Sequence, residues 1–128
     1  MKVATALMEN GASVSFPYGD ERYDLIADIP SHGLVRVQVK TGRWDSDSGS
    51  VMVEFRTKYK RKGEYHESYY EEDEIDTYGI YSPETNLVYW VEFQECGERG
   101  MRLRVEEGER HTSQTNWAED YEIAKRLA

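Results

Sequence analysis

The sequence predicts an α/β (α+β) domain: a short helix, a long run of strands and a closing helix around one core. Three observations predict it. Val3, Ala6 and Leu7 recur at helical spacing near the start, and later stretches such as 34–41 alternate apolar and polar residues with a period of two. Turn residues punctuate the chain between them, as in Pro17-Tyr18-Gly19-Asp20 and Pro30-Ser31-His32-Gly33. A length of 128 residues is enough to close one core around a sheet and too short for two independent ones, so one domain spanning 1–128 is expected.

Taken in order, 2–9 reads as a helix that stops at Asn10-Gly11, residues that tolerate a left-handed backbone. Stretches 13–16, 22–29 and 34–41 then read as three strands of a meander. In the third, Val35, Val37 and Val39 point to one face and Arg36, Gln38 and Lys40 to the other. A polar turn, Asp45-Ser46-Asp47-Ser48-Gly49, leads into an alternating strand carrying Val51, Val53 and Phe55. Residues 59–73 hold almost no aliphatic side chain and are flanked by charge runs at 58–62 and 71–74, which predicts an exposed loop or arm. Strands follow at 76–81, 87–93 and around Met101, Leu103 and Val105. The last helix is expected from Asn116 as N-cap with Glu119 at the capping-box position, its stripe being Trp117, Tyr121, Ala124 and Ala128.

No apolar run approaches the roughly 20 residues of a membrane span, and 1–10 is too polar for the apolar segment of a signal peptide. A soluble, cytoplasmic protein with no membrane partner is expected. Cys96 is the single cysteine, so no internal disulfide can form and the thiol reads as ordinary and reduced. His32, His66 and His111 have no Ser/Asp or Cys partner pattern, which argues against a triad hydrolase or a histidine-centred nuclease. Gly11, Gly19 and Gly42 read as turn glycines, and Trp90 and Trp117 as core.

With 16 Lys+Arg against 25 Asp+Glu the net charge is -9, which argues at first against a polyanion ligand. The average hides an asymmetry. Residues 36–62 carry Arg36, Lys40, Arg43, Arg56, Lys58, Lys60, Arg61 and Lys62 against three acidic residues, a net of +5 that leaves -14 elsewhere. A basic patch on an acidic protein would bind phosphate there and repel it elsewhere, orienting a nucleic acid. The same acidic, lysine-poor composition also fits a protein that stays hydrated in molar salt, a halophilic source being the side expectation. Tyr65, Tyr69 and Tyr70 suit either stacking on bases or packing of the arm on the domain.

Asp24 lies early in the second strand, and Gln38 and Lys40 share a face of the third, so pairing the two strands would gather them. A carboxylate, an amide oxygen and the Val39 main-chain carbonyl form a set of hard oxygen ligands suited to Mg²⁺ or Mn²⁺. Lys40, one pleat from Gln38, would then sit beside a metal-bound water, a combination suited to phosphodiester hydrolysis. By themselves these residues fit better a strand-end carboxylate paired with Arg22 or Arg36 and a solvated strand face.

The surrounding segments add to the reading. Val14-Ser15-Phe16-Pro17-Tyr18-Gly19-Asp20, Arg22-Tyr23-Asp24-Leu25 and Val37-Gln38-Val39-Lys40-Thr41-Gly42-Arg43 resemble a subgroup of the PD-(D/E)xK, restriction-endonuclease-like nuclease superfamily that includes intron homing endonucleases. Ile75-Asp76-Thr77-Tyr78-Gly79-Ile80-Tyr81, Pro83-Glu84-Thr85 and Asn116-Trp117-Ala118 extend the likeness over nearly the whole chain. The resemblance implies a mixed central sheet flanked by helices and a Mg²⁺-dependent DNA endonuclease of homing, defence or repair type. It assigns metal ligation to Asp24, the acidic position of (D/E)xK to Gln38, and the lysine to Lys40. Its alternative outcome is a catalytically degenerate DNA-binding or protein-interaction member. Many members carry a further Glu in the first helix; its place falls before Met1, so the resemblance implies either a natural chain that begins earlier, or another carboxylate such as Glu9, Asp20 or Glu21 as substitute, or a degenerate site. Cutting both strands of a long site would need a homodimer or larger assembly.

Overall fold

The structure, a computed structural model, describes residues 1–97, 99–107 and 115–128, with only the backbone at 57–60 and 67. Helix α1 (Lys2–Glu9) buries Val3, Ala4 and Leu7 and ends at Asn10, after which Gly11 takes φ +88°. Strands β1 (Ser13–Ser15), β2 (Leu25–Ile29) and β3 (Gly33–Thr41) form the expected antiparallel meander. The chain then leaves this sheet for β4 (Arg43–Asp45), β5 (Ser50–Glu54), β6 (Arg56–Arg61) and β7 (Glu64–Tyr69). It returns as β8 (Thr77–Ser82), parallel to β3, and β9 (Leu87–Glu92), antiparallel to β8. The result is a five-stranded mixed sheet of order β1-β2-β3-β8-β9. Strand β10 (Gly100–Arg104) joins β5 and β4 in a second sheet of order β10-β5-β4, and β6 and β7 pair as a separate hairpin.

Each face of the five-stranded sheet carries its own core. On one, Val3 and Leu7 of α1 pack with Leu25, Ala27, Val37 and Trp90. Gly79 makes this contact close: a Cβ there would lie 2.6 Å from Val3 Cγ1, so the helix rests directly on β8. On the other face Tyr78 and Ile80 pack with Val51, Val53, Phe55 and Leu103, so the β10-β5-β4 sheet covers what α1 does not. The expected α+β architecture is therefore present as a helix, a mixed sheet and a smaller sheet in layers.

Four expectations need correction. The arm predicted at 59–73 is mostly the β6–β7 hairpin, closed by Lys62 at φ 52° and Gly63 at φ 80°, the two left-handed residues of a tight two-residue turn. The second strand begins at Leu25, leaving Asp24 just ahead of it, and β4 was not expected at all. The closing helix is broken up. Ala118–Tyr121 is a 3-10 turn, Glu122 is extended (φ -59°, ψ 133°) and bridges Tyr89, and α2 spans only Ile123–Arg126. Asn116 makes no cap: its Oδ1 accepts the Tyr121 hydroxyl at 3.3 Å, and Ala118 and Ile123 are buried while Ala124 and Ala128 are exposed. Trp90 is core, as expected, but Trp117 is half-buried, and His111 falls outside the described residues. No described helix is long and apolar enough to cross a membrane.

Candidate active site

Strand β2 stops pairing with β3 at Leu25↔Val37, and Asp24 takes over from there with its own groups. Its N–H donates to the Val37 carbonyl at 2.9 Å, and its Oδ2 accepts the Val39 N–H at 2.9 Å. The carboxylate thus stands in for the next rung of the ladder and is fixed on the edge of β3. The N–H and C=O of a strand residue point to the same side, so the Val39 carbonyl faces the Asp24 edge as well. Asp24 is exposed, and neither Arg22 nor Arg36 forms an ion pair with it among the described residues.

Gln38 and Lys40 stand opposite Tyr78 and Ile80 of β8 and share their face. Gln38 is only 8% exposed, and its Oε1 is buried with no hydrogen-bond partner among the described residues. Leaving an amide oxygen so costs about 1–3 kcal/mol, a cost that a bound cation would offset. Hard oxygens at Gln38, Asp24 and the Val39 carbonyl therefore fit a divalent ion. The half-buried Lys40 donates from Nζ to the Arg56 carbonyl at 3.4 Å, and its Nζ lies 5.2 Å from the centre of the Tyr70 ring. Burial pulls the pKa of its ammonium below the ordinary lysine value; nearby Asp24 opposes the shift and Arg22 adds to it.

Arg22, which the sequence offered only as a partner for Asp24, instead holds Glu74 at 3.0 Å, donates to the Tyr69 carbonyl at 3.1 Å and stacks 4.6 Å from the Tyr70 ring centre. Glu74 belongs to an exposed acidic trio with Glu71 and Asp73, and its Oε1 also accepts the Glu71 N–H. Glu9, Asp20 and Glu21 are exposed, and none joins Asp24 in an acidic cluster among the described residues.

The basic residues predicted to meet DNA fall in three places. Arg36 is committed to Asp76, with Nη2–Oδ1 at 2.9 Å and Nε–Oδ2 at 3.1 Å, and to the carbonyls of Asp73 and Glu72. Hydrogen bonds from Arg36 hold the Asp76 carboxyl below the usual range. Arg43 and Arg56 line one groove of about 550 Å³ together with Thr41, Glu54 and Arg99. Arg61 and Lys62 are exposed at the hairpin tip; Lys58 and Lys60 lie on β6, their side chains outside the description.

Sequence reasoning missed Arg99. It reaches the groove because Gly100 pairs with Glu54 and the Arg99 carbonyl accepts the Phe55 N–H at 3.1 Å, a register between distant segments that no local pattern announces. It also missed an aromatic cavity of about 480 Å³ lined by Phe55, Tyr69, Tyr70, Tyr78 and Phe93, with Cys96 and Arg99 at its wall. Burial, aided by Glu95, pushes the Cys96 thiol up to about 12, in keeping with an unreactive thiol.

Comparison with known proteins shows the family and the fold. Residues 1–124 match the family of PD-(D/E)XK endonucleases. Among solved structures the chain is similar to the bacterial homing endonuclease I-Ssp6803I, with a TM-score of 0.74 and 25% identity over 98% of this chain and 84% of that one. No curated protein matches.

Proposed function

Because the chain belongs to the PD-(D/E)XK endonuclease family and has a restriction-endonuclease-like fold, we propose that it is a Mg²⁺-dependent enzyme hydrolysing phosphodiester bonds in DNA. The observation that carries this reading is the orphaned Gln38 Oε1, buried one residue from the amide that Asp24 caps. Asp24, Gln38 and the Val39 carbonyl would hold the ion; Mn²⁺ satisfies the same oxygen donors. When bound, the ion supplies a water of lowered pKa and positive charge beside the phosphate. Asp24 is kept in place by the Val39 amide, so its carboxylate needs no reorganisation to act as a ligand. Lys40, steadied by the Arg56 carbonyl and the Tyr70 ring, presents its ammonium to the attacking water or to the charge building on the phosphate.

The groove of Arg43, Arg56 and Arg99 and the basic hairpin would carry the phosphate backbone toward Lys40. Arg36, already bonded on four sides, contributes through the fold rather than through DNA. Neutralising Lys58, Lys60, Arg61 and Lys62 should flatten the salt dependence of binding by roughly one unit of log-log slope per lost contact; an unchanged slope moves the DNA surface elsewhere.

The deciding experiment is supercoiled plasmid incubated with and without Mg²⁺, beside Asp24→Ala. Cleavage that needs both Mg²⁺ and Asp24 is expected. Binding without cleavage would select the catalytically degenerate reading, and cleavage surviving Asp24→Ala would remove Asp24 from the chemistry.

A further inference from the structure

The 480 Å³ aromatic cavity has no part in the hydrolysis just described, yet Tyr70, one of its lining residues, also lies 5.2 Å from Lys40 Nζ. Its volume lies within the roughly 300–1,000 Å³ of small-molecule pockets. Phe55 and Tyr78 stack at 4.3 Å between centres and 26° between planes, and Tyr70 meets Tyr78 edge-on at 6.0 Å. Tyr69, 40% exposed, stands at its mouth. Flat apolar walls of this kind suit a flat aromatic ligand.

Three further observations say which flat ligand. Tyr70, which lines the cavity, carries Lys40 Nζ at 5.2 Å and the Glu74-paired Arg22 guanidinium at 4.6 Å from its ring centre, so a phosphate drawn to Lys40 stands beside the cavity's own wall. Arg99 lines both the cavity and the arginine groove, so a phosphodiester backbone running along the groove arrives at the cavity's edge. On the cavity wall, the Tyr78 side chain carries a hydroxyl. It can meet the polar edge of a base, while the Cys96 thiol is already turned to the Glu92 carbonyl at 3.3 Å. A ligand with an anionic group, a flat aromatic ring and a polar ring edge, attached to a polyanionic chain, is a nucleotide within a nucleic acid strand.

We propose that this cavity receives one nucleobase lifted out of the helical stack beside the scissile phosphate, which makes DNA with an unpaired or everted nucleotide the preferred substrate. The proposal rests on the nuclease reading and adds a substrate class to it. A base inside a duplex cannot enter, and eversion costs least where pairing is already lost, so an unpaired nucleotide is favoured over a fully paired site. Stacking of the base on Tyr70 and its neighbours would then tighten binding by about tenfold.

The test measures fluorescence anisotropy of the full chain in EDTA, so that no strand is cut, on three duplexes. One is fully paired, one carries a single unpaired thymidine, and one carries an abasic residue at that place. The thymidine bulge should bind about tenfold tighter than both others, and Cys96→Phe, which adds a ring to the cavity, should abolish the difference. Equal binding of the thymidine and abasic bulges would mean that bending, not the base, is recognised, and would overturn the proposal; so would a preference that survives a folded Cys96→Phe. Photocrosslinking with 5-iodouracil at the bulge tests the wild-type chain independently. Attachment to Tyr69, Tyr70 or Phe93 is expected, and attachment elsewhere overturns the pocket. If paired plasmid is cut with no preference for the bulge, only this inference fails; if no DNA binds, the nuclease reading fails with it.

Discussion

On one face of β3, Val37 is completely buried in the cluster of Val3, Leu7 and Leu25, while on the other its neighbour Gln38 is almost as deeply buried but leaves its amide oxygen without a partner. Alternate residues of one nine-residue strand thus meet opposite conditions. The valine face satisfies itself: Val35, Val37 and Val39 pack in the apolar cluster, the buried Thr77 beside Val37 donates its hydroxyl to the Val91 carbonyl, and burial stabilises the whole. The Gln38–Lys40 face holds a polar atom at a cost and keeps a half-buried ammonium beside an aromatic ring. Such local violations of good packing are expected where a site must be ready to bind something. On the proposed function one face of β3 serves stability and the other chemistry, and each role can be broken separately.

The largest effect should come from the chemical face. Lys40→Ala should lower cleavage by about 10²–10³-fold, the scale of removing one preorganised donor, while thermal melting and DNA affinity change little. An active Lys40→Ala protein would break the mechanism without touching the fold. Next comes Val37→Ala on the apolar face, which should cost about 2 kcal/mol in denaturant unfolding, with the cleavage rate per folded molecule preserved. A loss of rate without a loss of stability there would show that the faces are not separate. Smaller still is the stability change of Gln38→Leu. Exchanging an unsatisfied buried amide for an apolar chain of similar size should raise stability by about 1 kcal/mol while abolishing Mg²⁺-dependent cutting. A destabilised Gln38→Leu protein would mean that the amide is a structural group.

The division between the faces was legible because β3 alternates cleanly, and alternation is the signal that a half-buried strand must leave. The meander was legible for the same reason, helped by its turns. The hairpin was not. Its strands carry charges and tyrosines rather than aliphatic residues, so they show no hydrophobic period, and the one local clue was Lys62-Gly63 at the turn. The closing helix misled in the opposite way: Asn116 and Glu119 have the spacing of a cap, but Glu122 pairs with Tyr89 in extended form and interrupts the run. Tertiary pairing overrode a local signal. Within the proposed site, Asp24, Gln38 and Lys40 are singled out by the family resemblance, since their type and spacing alone suit a solvated strand face better. The use of Arg22 and Arg99 depends on Glu74, Tyr70 and Phe55 reaching them across long stretches of chain.

The finest test of the comparison keeps the shape of the Gln38 side chain and alters only its charge. If Gln38 meets the ion through Oε1, Gln38→Glu offers a charged oxygen in nearly the same place, and the half-saturating Mg²⁺ concentration for cleavage should fall. At an effective dielectric near 20 the nominal Coulomb gain is several kcal/mol, but lost hydration and ligand rearrangement should leave roughly 1 kcal/mol, a several-fold shift. The sign of the pH dependence follows. A carboxyl buried at this position near Asp24 has its pKa raised by desolvation and by the like charge, so protons compete with Mg²⁺ for it. The advantage over the wild-type chain should therefore be full at alkaline pH and vanish as the pH falls through the raised value. Tighter ion binding need not speed cutting, since the added negative charge also faces the phosphate; the metal titration, not the maximal rate, is the measurement that decides. An unchanged or higher Mg²⁺ requirement at alkaline pH would show that the orphaned oxygen is not a metal ligand, and the chemical face of β3 would then rest on Asp24 and Lys40 alone.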